Sequence, residues 1–456
     1  MSRSAQKLSM HHPLSRLSKQ GIIEFLLTLV FIASFAPYVV GITTGTLLIA
    51  PALLLIAAAF VLLFLYPTRC RESIRSLFSL RLIVFAYVFP VISCVISVGN
   101  GEWSSVSYSA LMIIVLTACQ IMLSVVSINR LLLSFTRSGI VAVAAFSISD
   151  WHEILHSATT STRLIPSQTH PNTIGFIFAG YIGLFLWRIL DRQLNLASRG
   201  LYFALICAAS GTIFLAQSRA SMLAVVCAFT WVALLAIGRA SRGKKVYMRF
   251  TIAMFMTVIS GGIITIAAKP SYINQGTAYL ADVLHIDTRY RGVNSDLSGR
   301  IPRWEAAIAA LPEDGRWAIG SGYRSSKKGL GFSIDNGYLT IWYEGGFFLL
   351  LLTVGQLLWC VWIASKRYTK EPDNERRWLF ATFGSVIIIL MVNNIFDRYL
   401  LGIGNPFSLL GLFILLTRRH DLDFAIRNRR ILRSLQIGGA KQAVETVTNG
   451  NTFTYS

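Results

Sequence analysis

Long apolar runs, separated by short polar and basic segments, dominate this chain. A helix needs about 20 mostly apolar residues to cross the hydrocarbon core of a bilayer. Twelve stretches approach or exceed that length: 21–40, 43–65, 81–99, 105–127, 132–149, 172–190, 200–217, 220–238, 249–268, 337–363, 378–396 and 399–417. The fifth is the weakest, because Arg137 interrupts it and Ser134, Ser138 and Ser147 dilute it. The seventh and eighth are joined by a tight hairpin at Gln217-Ser218-Arg219.

Two connections break the pattern of short loops: Asp150 to Pro171, and Lys269 to Asn336, which is far longer than an ordinary loop and therefore a place to look for function. Inside the second, Ile301, Trp304, Ala307, Ile308 and Leu311 form one apolar helical face, with Pro302 suited to the first turn. This predicts a short amphipathic helix on the membrane surface or over a cavity mouth. The organisation that follows is a segment 1–20, nine spans over 21–268, the long loop 269–336, three spans over 337–417 and a basic tail 418–456. Within that tail, Phe424 to Ile437 is amphipathic and basic, which suits contact with the anionic lipids of the inner leaflet.

Composition agrees with membrane insertion. Hydrophobic residues make up 54% of the 456 and charged residues only 14%, against about 25% in a soluble domain. The formal charge is nevertheless +21. Nucleic-acid binding would explain the charge but not the apolar excess, and 28 Phe, 16 Tyr and 10 Trp exclude a disordered basic chain. Placing the N-terminus in the cytoplasm puts most of the 42 basic residues on the inner side, in clusters within 3–19, 69–81, 130–137, 188–199, 239–249, 366–377 and 418–441. Removing one span would invert half the loops and destroy this bias. The expectation is therefore an all-α polytopic membrane protein with about twelve spans and both termini cytoplasmic. No cleavable signal is predicted, since the first span is long and no A-x-A-like site follows it. The six Cys offer no disulfide or metal-ligand spacing.

Cations are scarce in the short outer loops, where Arg219 and Arg398 are the exceptions. The long loop adds Arg300, Arg303 and Arg324 among others. A guanidinium is a planar, permanently charged fork that suits phosphate oxygens, and several at one membrane boundary would hold a lipid diphosphate. The competing reading pairs the loop arginines with nearby acids such as Asp296 and Glu305. Two acids also stand out. Asp335 precedes the tenth span beside Asn336, where either would serve as a helix cap. Glu344 lies nine residues further, about 13 Å along a helix, and marks either a site or a pairing between helices. His170 and Asn172 open the sixth span. No metal cluster, nucleotide-binding loop or nucleophile elbow is present, so neither a cofactor nor a metal is expected.

Four pieces together resemble the bacterial superfamily of O-antigen ligases and Wzy-type O-antigen or exopolysaccharide polymerases. They are His170-Pro171-Asn172-Thr173-Ile174-Gly175; Gln217-Ser218-Arg219-Ala220-Ser221-Met222-Leu223, which contains an Arg-x-x-x-Leu; Ser298-Gly299-Arg300 with Trp304; and Asp335-Asn336-Gly337-Tyr338-Leu339 followed by Glu344-Gly345-Gly346. The resemblance implies a GT-C-like membrane fold and transfer of a glycan from an undecaprenyl diphosphate carrier at the periplasmic face, without a metal. It assigns catalytic roles to Arg219, Arg300 and Asp335. Substrate contacts fall to Arg303, Arg324, Arg398, Asn336, Tyr338, Glu344, His170, Asn172 and Trp304. A flippase and a chain-length regulator are further candidate partners, and no nucleic acid is.

The sequence departs from the ligases at one place. They carry a His before the Asn at the start of this span, and here Asp335 stands there. The change favours a polymerase, whose acceptor is another lipid-linked repeat unit, over a ligase acting on lipid A-core. A transporter or sugar-lipid flippase is the reading from a different class. It fits less well, because the single dominant loop breaks the two-halves symmetry expected of such a protein.

Overall fold

The computed structural model describes residues 13–40, 49–68, 70, 87–160, 162–167, 169–191, 194–240, 296–311, 316–403 and 405–417. Among them there are helices and no strand. Eight helices are long and apolar enough to cross a membrane. They are α1 (Pro13–Phe35), α5 (Trp103–Val125), α6 (Ile128–Ser149), α8 (Pro171–Leu190), α9 (Leu196–Leu215), α10 (Arg219–Ala240), α14 (Gly337–Lys370) and α15 (Asn374–Phe396). Three shorter apolar helices accompany them: α3 (Ala50–Leu65), α4 (Phe89–Gly99) and α16 (Pro406–Leu416). The rest are short: α2 (Pro37–Val40), α7 (Trp151–Thr160), α11 (Asp296–Ala309), α12 (Arg316–Ile319) and α13 (Ser326–Leu330). The chain is an all-α polytopic membrane protein.

Helix thus occupies eleven of the twelve predicted stretches. The ninth, 249–268, lies outside the described residues, as do residues 1–12, much of the long loop and the basic tail with its segment Phe424 to Ile437. Two expectations need correction. The last stretch, 399–417, becomes helical only at Pro406. Asn405 caps α16 there, its Oδ1 accepting from the Ser408 N–H at 2.7 Å, and Pro406 suits the first turn. Residues 397–403 and 405 instead form a non-helical strap. The loop helix α11 begins at Asp296, five residues before Ile301, the first residue of its predicted apolar face. Pro302 therefore lies in its interior, where it removes one backbone hydrogen bond, rather than in the first turn.

Helices α8 and α15 form the centre of the bundle; α8 packs on α9, α10 and α15, and α10 on α15. Between bilayer-inserted helices the gain comes from close van der Waals packing rather than expulsion of water. Phe176, Phe178, Tyr181 and Phe185 of α8 are fully buried, with Tyr181 against Phe135 at 4.7 Å and Phe176 against Phe407 at 4.7 Å between ring centres. Three of the polar residues that weakened the fifth stretch are partnered: Ser134 Oγ donates to Glu24 O, Ser138 Oγ to Phe135 O, and Arg137 forms an ion pair. Arg137 of α6 pairs with Glu24 of α1 at 2.7 Å, and Arg130 approaches the same carboxylate at 3.8 Å.

Helix α14 is broken at Gly346, whose φ of 82° and ψ of 169° are open essentially only to glycine. A break in a membrane helix is tolerated when the freed carbonyls find partners within the protein. Here the segment after α12 supplies them: Ser321 N–H donates to Tyr343 O and Gly322 N–H to Glu344 O, both at 2.9 Å. A Cβ on Gly346 would collide with the Ala318 carbonyl. Gly346→Ala should therefore cost about 2 kcal/mol or more through strain alone. The expected result is a lowered thermal unfolding midpoint in detergent together with lost activity; an unchanged midpoint would show that the break is not required.

Candidate functional site

The ends of α8, α9, α10, α14 and α15 converge at one end of the bundle. Gly175 of α8 faces the hairpin between α9 and α10, where a Cβ would meet the Ser218 side chain at 2.6 Å. Ser218 Oγ donates to Ser221 Oγ at 2.9 Å, and Ser221 Oγ donates to Asn393 Oδ1 of α15 at 3.0 Å. Gln217 adopts a left-handed φ of 49° to complete the tight turn. These contacts fix the first residue of α10, Arg219, which is exposed.

The connection from Asp150 to Pro171 is more ordered than its polarity suggests. It begins with α7 and then runs back along the end of α9. Asp150 Oδ1 accepts from the Ser167 N–H at 2.8 Å and its hydroxyl at 2.7 Å. Leu164 N–H donates to Leu215 O, and Arg163 Nε donates to Ala216 O at 2.9 Å, which satisfies carbonyls left open at a helix end. Arg163 Nη2 also donates to Asn172 Oδ1 at 3.0 Å. His170 caps α8, its Nδ1 accepting from the Asn172 N–H at 3.2 Å.

A cavity of about 630 Å³ opens between these elements. Four arginines line it, Arg163, Arg219, Arg300 and Arg398, together with the carboxylates Asp335 and Asp397. His170, Asn172 and Gln217 add uncharged polar groups, and Ala220 and Leu223 an apolar wall. Such an excess of guanidinium over carboxylate selects for an anion.

The two carboxylates differ. Asp335 is partly exposed and pairs with Arg303 of α11 at 2.9 Å. The cap of α14 is Asn336, whose Oδ1 accepts from the Tyr338 and Leu339 N–H groups at 2.9 and 3.0 Å. Asp397, at the end of α15, is only 8% exposed and its Oδ2 is buried without a hydrogen-bond partner. Its nearest cation is Arg300, 3.8 Å from Oδ1. Burial raises its pKa from 3.8 to about 7. The Arg300 charge opposes that rise, the Asp335 charge adds to it, and the Asn172 side chain opposes it. A buried carboxyl that titrates near neutrality beside a bank of arginines is equipped to take a proton.

A second cavity, of about 320 Å³, adjoins the first and shares Arg398 with it. It contains Glu344 and Arg324, so the structure separates these two from Arg219 and Arg300. Trp304 and Tyr338 line neither cavity. Trp304 packs in a small apolar cluster with Ala307, Leu311, Ile334 and Tyr343 that seats α11 on α14. The Tyr338 hydroxyl donates to Met391 O at 2.9 Å and ties α14 to α15. Among the described residues no group of His, Cys, Asp and Glu has the arrangement of a metal site.

Sequence reasoning missed Asp397 and Arg163 as cavity residues. Asp397 is the direct neighbour of Arg398, singled out between the last two spans, but nothing beside it in sequence announces its burial.

Residues 201–354 match the model of a family described as O-antigen ligase. The match includes Arg219, Arg300, Asp335 and Glu344 and ends before Asp397. No curated protein matches the chain.

Proposed function

We propose that this chain, which matches the O-antigen ligase family model over residues 201–354, is a polysaccharide polymerase of the O-antigen ligase and Wzy superfamily. It transfers a glycan from an undecaprenyl-diphosphate carrier to a second lipid-linked repeat unit at the periplasmic face of the inner membrane. The observation that carries the reading is the convergence of Arg219 and Arg300 with Asp335 and Asp397 on one cavity.

The chemistry follows from these groups. The acceptor hydroxyl oxygen attacks C1 of the first donor sugar and forms the new glycosidic bond. The C1–O bond to phosphate breaks, and its electrons leave with the undecaprenyl diphosphate. Negative charge grows on the departing diphosphate, and Arg219 and Arg300 stabilise it where it develops. The positive end of the α10 dipole lies beside Arg219 and adds to that field. Asp397 takes the hydroxyl proton, and Asp335 with Arg303 sets the charge around it. The activated phosphate ester supplies the driving force, so neither ATP nor a metal enters the scheme.

Asp335 in place of the ligase His favours the polymerase, while the description of the matching family favours transfer to lipid A-core. Deletion of the gene separates the two. Loss of a polymerase leaves single repeat units on the surface lipid, and wild-type complementation restores long chains. Accumulation of long polymer on the lipid carrier would instead identify a ligase and overturn this assignment.

A further inference from the structure

We propose that the smaller cavity, beside Glu344, binds a sugar ring of the acceptor glycan; this rests on the transferase reading and assigns it a second substrate subsite. At about 320 Å³ the cavity lies at the low end of ligand pockets, the size for one or two sugar rings rather than for a lipid carrier.

Its lining offers what a hydroxyl-rich ring needs. Glu344 is buried at 9% exposure and is held in place by Ser326, whose hydroxyl donates to Oε1 at 2.6 Å and whose N–H donates at 3.4 Å. A fixed carboxylate accepts hydrogen bonds from sugar hydroxyls. Arg324 and Lys327, both exposed, provide donors on the same cavity. Arg324 is locked by a left-handed φ of 62° and by stacking over the Tyr108 ring at 4.2 Å. Tyr108 and Tyr323, edge to face at 6.4 Å, supply the apolar surface that sugar C–H groups pack against.

The position specifies the acceptor rather than the donor. The donor sugar stays joined to its diphosphate in the larger cavity until the bond breaks. The strap after α15 separates the two spaces: Asp397 and Tyr399 line the larger, Leu400 and Gly402 the smaller, and Arg398 both. A hydroxyl presented from the smaller cavity therefore reaches the donor past the strap that bears Asp397 and Arg398.

Two probes test the division on the purified full-length protein. One is undecaprenyl diphosphate. The other is the oligosaccharide repeat unit released by mild acid from the surface polymer of the source bacterium. Glu344→Gln is expected to weaken oligosaccharide binding at least tenfold and leave undecaprenyl diphosphate binding unchanged, and Arg219→Ala is expected to do the reverse. Arg324→Ala, at an exposed position, provides the same test should the Glu344 variant fail to fold. Wild-type protein that does not bind the oligosaccharide, or variants that bind it normally, would overturn the proposal. So would weaker undecaprenyl diphosphate binding in Glu344→Gln or Arg324→Ala, which would assign the cavity to a phosphate. Undecaprenyl diphosphate binding that is indifferent to Arg219 would instead sink the transferase reading itself.

Discussion

Arg219→Ala should reduce polymer formation by two to three orders of magnitude at unchanged protein level, the loss typical of removing one group that stabilises charge in a transition state. Arg219 is exposed, and its backbone is held by a tight turn and a serine relay to Asn393, so its guanidinium can be removed without leaving a hole in the bundle. Folding should therefore survive the substitution. Arg219→Lys keeps a point charge but loses the planar fork that grips two oxygens at once, and should recover only part of the rate. Arg300→Ala should be comparably damaging for a second reason: it also removes the cation nearest Asp397. The measurement is release of undecaprenyl diphosphate from lipid-linked repeat units by purified protein, with thermal unfolding as the control. Wild-type turnover in Arg219→Ala would exclude this arginine from the chemistry.

The helices were legible because a bilayer imposes a length on any apolar segment, and that length survives irregular packing. Hydropathy alone misplaced the start of α16, since residues 399–404 are apolar enough to extend the run. Only the local cap at Asn405 with Pro406 ends it, and a window of twenty residues averages such a signal away. The arginines of the site were legible for the opposite reason. Arg219 and Arg398 violate the charge bias of insertion, and a violation needs a cause. Trp304 shows what that approach leaves out: its place in the amphipathic pattern was legible, but the face it packs against, on α14, was not. Asp397 was hidden because its character comes from burial and from Asp335, more than sixty positions away in sequence, and neither is written in the residues beside it.

Asp397→Asn should reduce turnover by two to four orders of magnitude, the loss for removing a general base. The pH dependence makes this assignment separable from a structural role. A base must be ionised, so the rate should rise with pH through a midpoint near 7, set by the raised pKa of Asp397. Asp335→Asn removes a neighbouring negative charge that pushes this pKa up, so the midpoint should move to lower pH in that variant. Arg300→Ala removes the cation that holds it down, and the midpoint should move higher in whatever activity remains. Stability should respond with the opposite sign. The folded protein holds this proton more tightly than the unfolded chain, so the contribution is favourable at low pH and is lost as pH rises from about 4 through 7. At neutral pH the ionised carboxylate costs stability, and Asn in its place should leave the unfolding midpoint equal or higher while activity is lost. A structural Asp397 would give the reverse, a less stable protein whose residual rate keeps the wild-type pH profile.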